Sequence, residues 1–153
     1  MIGLLLMAVK AKAEAKHKKK KSKKKHLKAK TILAMWALAV KTRDGFKCVY
    51  CGRTSEQVDL ESHHIFSRRH AAIKYNMDDG LTFCVREHAQ ILSSYELKKW
   101  IIDYIGQEKY DELEKMSYKV KIWTESEKRE IYESLKKYIK SSQEMDRGGE
   151  GRN

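Results

Sequence analysis

The sequence predicts an α+β fold, and three observations predict it. Segments on both sides of the middle place apolar residues at the 3.6-residue spacing of a helix. Two short segments between them read as strands bounded by turn residues. A C-x-x-C pair ahead of the first strand reads as a tight knuckle.

The elements follow in order. Leu27, Ile32, Met35, Trp36, Ala39 and Val40 fall at helical spacing, so a helix is expected from about Leu27 to Lys41, ended near Gly45. Cys48–Cys51 forms the knuckle, closed by Gly52. "QVDLESHHIF" alternates through Val58 and Leu60 to Ile65 and reads as a strand entering a loop. "GLTFC", Gly80 to Cys84, is a second strand after an Asp-Asp-Gly turn. The stretch from Val85 to Gly106 is helical and broken near Ser93–Ser94; its second piece puts Leu97, Trp100, Ile101 and Tyr104 on one face. Two further helices cover residues 107–120 and 124–142, with Thr124 and Glu127 forming a capping box for the last. Trp36, Trp100, Tyr104, Tyr110, Trp123 and Tyr132 are expected to pack between helices rather than to stack on bases. His70 is expected at the surface, and neither His17 nor His26 has an assignable role. There is no proline and no internal repeat; "DRGGEGRN" at the end is Gly-rich and reads as disordered.

Charge divides the chain. The whole carries +12, but residues 10–30 hold twelve lysines against Glu14 alone, so the remainder is close to neutral. The basicity therefore belongs to an arm, residues 1–30, which includes Lys18, Lys19, Lys20 and Lys21. Alanine and lysine favour a helix, but dense like charge opposes one in water. Such an arm attracts polyanions, of which nucleic acid is the commonest; the plainer reading is a solvated tail. The apolar start, "MIGLLLMA", is too short to span a bilayer, and the lysines follow it rather than precede it as in a secretory signal. A soluble, intracellular protein that inserts in no membrane is expected.

Three cysteines do not make a disulfide framework, and a C-x-x-C knuckle fits a metal in a reducing compartment. Structural zinc takes four ligands. Cys48 and Cys51 supply two and Cys84 is the natural third; His88 and Glu87 are both chemically able to be the fourth. The plainer reading is two or three ordinary buried thiols. His63 and His64 are adjacent on a strand, so they face opposite ways: one can ligate a metal while the other takes a proton from water. Arg68 and Arg69 follow closely.

These stretches resemble the HNH endonucleases, the ββα-metal or His-Me finger nucleases, and most of all a zinc-braced subgroup common in phage genomes. The segments that carry the likeness are "TRDGFKCVYCG", "ESHHIFSRR", "DGLTFC" and "CVREHA", with "YELKKWIIDYIGQEKYDELEKMS" similar to that subgroup's helical extension. The likeness spans roughly residues 30–140. It implies a ββα-metal core at 31–92, a helical extension at 93–142 and a tail at 143–153. It implies that His64 is the general base, that His63 and His88 hold one catalytic divalent metal such as Mg²⁺ or Mn²⁺, and that Cys48, Cys51 and Cys84 hold a separate structural Zn²⁺. Arg68 or Arg69 would contact phosphate. Asp79 falls where the family's middle asparagine orients the base through a backbone contact; Asn76, three residues earlier, is the other candidate.

Three departures stand out. Asp79 replaces that asparagine, Glu87 replaces the fourth zinc cysteine, and Leu92 replaces a further helix histidine found in many members. If His88 completes the zinc site, the catalytic metal loses a ligand. The function expected is metal-dependent hydrolysis of phosphodiester bonds in DNA, in a host cytoplasm if the gene is a phage's. The alternative is a non-catalytic, zinc-containing module that binds nucleic acid, a degenerate HNH core. A protein that docks on other proteins has no dedicated motif here.

Overall fold

The computed structural model describes residues 26–86 and 95–149, and they form a small α+β domain. In chain order the elements are α1 (Ala29–Arg43), β1 (Leu60–His64), a 3₁₀ turn (Met77–Asp79), β2 (Gly80–Cys84), α2 (Tyr95–Ile105), α3 (Gln107–Ser117) and α4 (Glu125–Gly149). Val85 and Arg86, directly after β2, are helical. Among the described residues no helix is long and apolar enough to cross a membrane.

β1 and β2 pair antiparallel, with Leu60 opposite Cys84, Ser62 opposite Thr82 and His64 opposite Gly80. The two faces of this ribbon are covered differently. α1 lies on the face carrying Ser62, His64 and Gly80: the Ser62 hydroxyl donates to the Ala37 carbonyl at 2.8 Å, and the rings of His64 and Trp36 stack. The other face carries Leu81 and Phe83 into an apolar cluster with Ile101 and Trp100 of α2. α1 is apolar on a second side as well. Its Ile32, Trp36, Ala39 and Val40 pack with Tyr75 and with Leu135 and Ile139 of α4. A two-stranded ribbon is marginal alone; here it is clamped between two helical layers.

An Arg-Asp pair at the end of α1 fixes the helix to the ribbon. The Arg43 guanidinium donates to the Met77 and Gly80 carbonyls, both at 2.7 Å, and to the Asp44 carboxylate at 2.8 Å. Asp44 in turn accepts the Thr82 backbone N–H at 2.9 Å. Gly45 and Phe46 then turn the chain with positive φ, leading into the knuckle.

Several elements match their expected places within two or three residues, and the capping box is formed: Glu127 N–H donates to Thr124 Oγ1 and Thr124 N–H to the Glu127 carboxylate. Four details differ. α4 continues past 142 to Gly149. Tyr104 is exposed, though its ring stacks on Trp100 at 4.8 Å. His70 is half-buried, with Nδ1 3.0 Å from the Ser117 carbonyl at the end of α3. His26 pairs with Glu125 at 2.8 Å, so the described chain starts beside the first turn of α4.

Candidate functional site

The cysteine knuckle is built by backbone. Cys48 N–H donates to the Arg53 carbonyl and Gly52 N–H to the Cys48 carbonyl, both at 2.8 Å, and Gly52 takes the positive φ the turn needs. Val49 N–H bonds the Thr82 carbonyl, which sets the knuckle against β2, where Cys84 sits. The sulfurs of Cys48, Cys51 and Cys84 lie within 4.8 Å of one another, with Cys51 and Cys84 3.8 Å apart. Sulfurs sharing a tetrahedral metal at about 2.3 Å stand about 3.8 Å apart. The three residues could hold a metal ion, and among the described residues they are the one such convergence of three or more. Burial pushes the Cys48 thiol up. Burial also opposes ionisation of Cys51, but hydrogen bonds from the Arg53 backbone and guanidinium and from the neighbouring thiols outweigh it and bring Cys51 to about 7. Glu87 and His88, both candidates for a fourth ligand, lie outside the described residues, as do Leu92 and Lys18 to Lys21.

His64 lies at the end of β1, lining a cleft of about 810 Å³. Its Nε2 is 3.0 Å from the Lys74 carbonyl. A carbonyl only accepts, so in the neutral ring Nε2 carries the proton and Nδ1 keeps the lone pair. The ring lies flat on Trp36, with centroids 3.7 Å apart and planes 12° from parallel. Burial lowers the His64 pKa below its ordinary 6.5, the Lys74 carbonyl works against this, and Arg68 adds to it. The imidazole is therefore neutral at pH 7, fixed in one tautomer and one orientation. His63 has different neighbours, its ring edge-on to Phe83 at 6.0 Å, as alternation along a strand requires. Both histidines line the same cleft.

The loop between β1 and β2 has little regular structure, yet it supplies the partner of His64. Three contacts pin it from outside: Trp36 Nε1 donates to the Asn76 carbonyl at 2.8 Å, Trp123 Nε1 donates to the Ala71 carbonyl at 2.7 Å, and His70 meets Ser117. Its two ends are joined by Asp79. The Asp79 carbonyl accepts Ile65 N–H and its Oδ1 accepts Phe66 N–H, both at 2.8 Å. Asn76 is occupied elsewhere, capping the 3₁₀ turn through Asp78 N–H. Asp79 is fully buried and does not line the cleft; its link to His64 runs through the next two residues of backbone.

Arg68 is exposed and lines the cleft; Arg69 is exposed and does not. The cleft is also lined by Lys98 from α2 and Glu114 from α3, which sequence reasoning passed over, and by Tyr110 from α3, expected only as a packing residue. Phe66 packs on Tyr110 at 4.9 Å, and Lys98 Nζ stands 5.8 Å from the Tyr110 ring centroid. No local signal marks these three. The Arg-Asp dipeptide ahead of the knuckle was visible, but its clamping role depends on where β2 comes to rest. Comparisons with family models, curated proteins and solved structures returned no match to this chain.

Proposed function

We propose that the chain is a metal-dependent HNH-type endonuclease that hydrolyses phosphodiester bonds in DNA, with His64 as general base. The observation that supports this most is the state of His64: a neutral imidazole in a cleft, its Nε2–H engaged by the Lys74 carbonyl and its Nδ1 lone pair left for a proton. In this reading Nδ1 takes the proton of a water attacking phosphorus while the bond to the 3′ oxygen breaks, leaving a 5′-phosphate and a 3′-hydroxyl. Arg68 and Lys98, both lining the cleft, position the phosphate. A divalent metal held by His63 and His88 would supply charge stabilisation on the scissile phosphate and the leaving oxygen. Zinc on Cys48, Cys51 and Cys84 would brace the knuckle against β2, and the donor set suits it, being three cysteine sulfurs within 4.8 Å of one another. The lysine arm contributes the sequence-independent affinity.

A second reading is favoured by one observation: Cys48, Cys51 and Cys84 by themselves could hold a metal ion. A zinc-containing module that binds nucleic acid without cutting it needs only that cluster and the arm. Supercoiled plasmid incubated with the purified chain and Mg²⁺, Mn²⁺, Ni²⁺ or Zn²⁺ decides between them. Cleavage by the parent that falls about 10²–10⁴-fold in His64→Ala, with DNA binding retained, is the expected result. Binding without cleavage in every metal would leave the module reading.

A further inference from the structure

Asp79 is a buried acid that the reaction itself does not touch. Its side chain is fully shielded from solvent; Oδ1 accepts one hydrogen bond, from Phe66 N–H, and Oδ2 has no partner. An ionised carboxylate rarely survives in such a place, because one neutral donor does not offset the lost hydration. The charged groups on the elements around it are engaged elsewhere. Arg43 of α1 pairs with Asp44 and bonds the Met77 and Gly80 carbonyls. Lys109 of α3 pairs with the neighbouring Asp78. His64 of β1, opposite Gly80, bonds the Lys74 carbonyl. The turn at 65–66 offers backbone N–H only.

We propose that Asp79 works as a neutral carboxylic acid, a proton-dependent equivalent of a carboxamide, and that its ionisation loosens the backbone turn that positions His64. The protonated acid presents one acceptor oxygen to Phe66 N–H and carries no charge, as an asparagine would. Loss of the proton puts a charge on a fully buried group with a single hydrogen bond. The segment at 65–66 must then open to admit water, and the strand end bearing His64 moves with it. Burial raises the Asp79 pKa from 3.8 to about 7, with the Phe66 hydrogen bond opposing the rise. The folded-state value lies above the unfolded one, so the folded chain holds the proton more tightly. Stability from this source is complete below pH 3.8 and is lost as pH rises through about 7. Asp79 is a positioning residue in this account, and the inference rests on the nuclease reading only where it concerns His64's task.

Two measurements on the full chain test it. The first follows the Asp79 carboxyl ¹³C resonance with pH; a midpoint near neutrality is expected, and a midpoint at the ordinary aspartate value overturns the proposal. The second compares thermal unfolding of the parent and Asp79→Asn from pH 4 to 9. The parent should lose stability relative to the variant as pH rises from about 4 to about 7, with the gap then holding steady to pH 9; parallel curves across pH 4 to 7 overturn it. The ¹³C measurement needs no variant, so a poorly folding Asp79→Asn does not shield the idea. Neither readout needs cleavage, so an inactive parent sinks the nuclease reading without sinking this one. With cleavage present, the parent's rate should fall between pH 7 and 9 and that of Asp79→Asn should not.

Discussion

Gly80 opens β2 at the point where the ribbon meets α1. Its φ of −118° and ψ of 143° are ordinary extended values, so glycine is not required there for backbone freedom. Space requires it: a Cβ at this position would sit 2.6 Å from Trp36 Cζ2, 2.6 Å from Val40 Cγ2 and 3.2 Å from Val40 Cγ1. Carbon atoms rest about 3.5–4.0 Å apart, so two contacts are about 1 Å too short. Neither neighbour has room to withdraw. Val40 is fully buried, and Trp36 is held between its hydrogen bond to the Asn76 carbonyl and the His64 ring. Overpacking costs about 1–3 kcal/mol where the surroundings yield a little. With both neighbours pinned, Gly80→Ala should fall near the upper end, about 3 kcal/mol, lowering Tm by roughly 10 °C for a domain of this size. Calorimetry and Trp fluorescence would follow unfolding. Val40→Ala alone should also destabilise, by opening a cavity, yet in the Gly80→Ala background it should restore part of the loss. The double-mutant cycle should therefore show clear coupling. Gly80→Ala unfolding within about 0.5 kcal/mol of the parent, or strictly additive variants, would refute this account of how α1 seats on the ribbon.

Three further outcomes are expected. Cys51→Ser should lose one bound zinc per chain and much of the cooperativity of unfolding, and elemental analysis finding no zinc in the native chain would reject the metal centre. Deleting residues 1–25, which removes ten lysines and one glutamate, should leave the fold in place, weaken DNA binding and flatten the slope of log affinity against log salt by several units; an unchanged slope assigns the affinity to the body instead. Cleavage should rise with pH through the acid range and reach its maximum before an exposed imidazole would, ahead of the fall above pH 7 expected from Asp79, because burial holds the His64 pKa below 6.5 and only the neutral ring accepts a proton. Added Mn²⁺ should restore part of the activity of His63→Ala, a lost ligand, and none of that of His64→Ala, a lost base; equal rescue of both would merge the two roles.

The sequence by itself determined the elements and one cluster. α1, β2, α2 and α4 begin within two residues of their expected starts, because helical periodicity, the Asp-Asp-Gly turn and the Thr124–Glu127 capping box are local signals. The three cysteines could be grouped in advance, since a knuckle and a thiol on the adjoining strand have few ways to meet. What local pattern could not contain was which element covers which. The side chain of Tyr104 follows the periodicity of α2 yet is exposed, its ring stacked on Trp100 of the same helix. His64 was legible as a candidate base, but its tautomer depends on the carbonyl of Lys74, ten residues away, and its orientation on Trp36 from another helix. Lys98, Tyr110 and Glu114 face the cleft only because α2 and α3 fold back over Phe66. Asp79 shows the division most plainly. Its place in the motif was visible in the chain, whereas the orphan oxygen and missing counter-charge that give it its chemistry exist only once tertiary packing has closed around it.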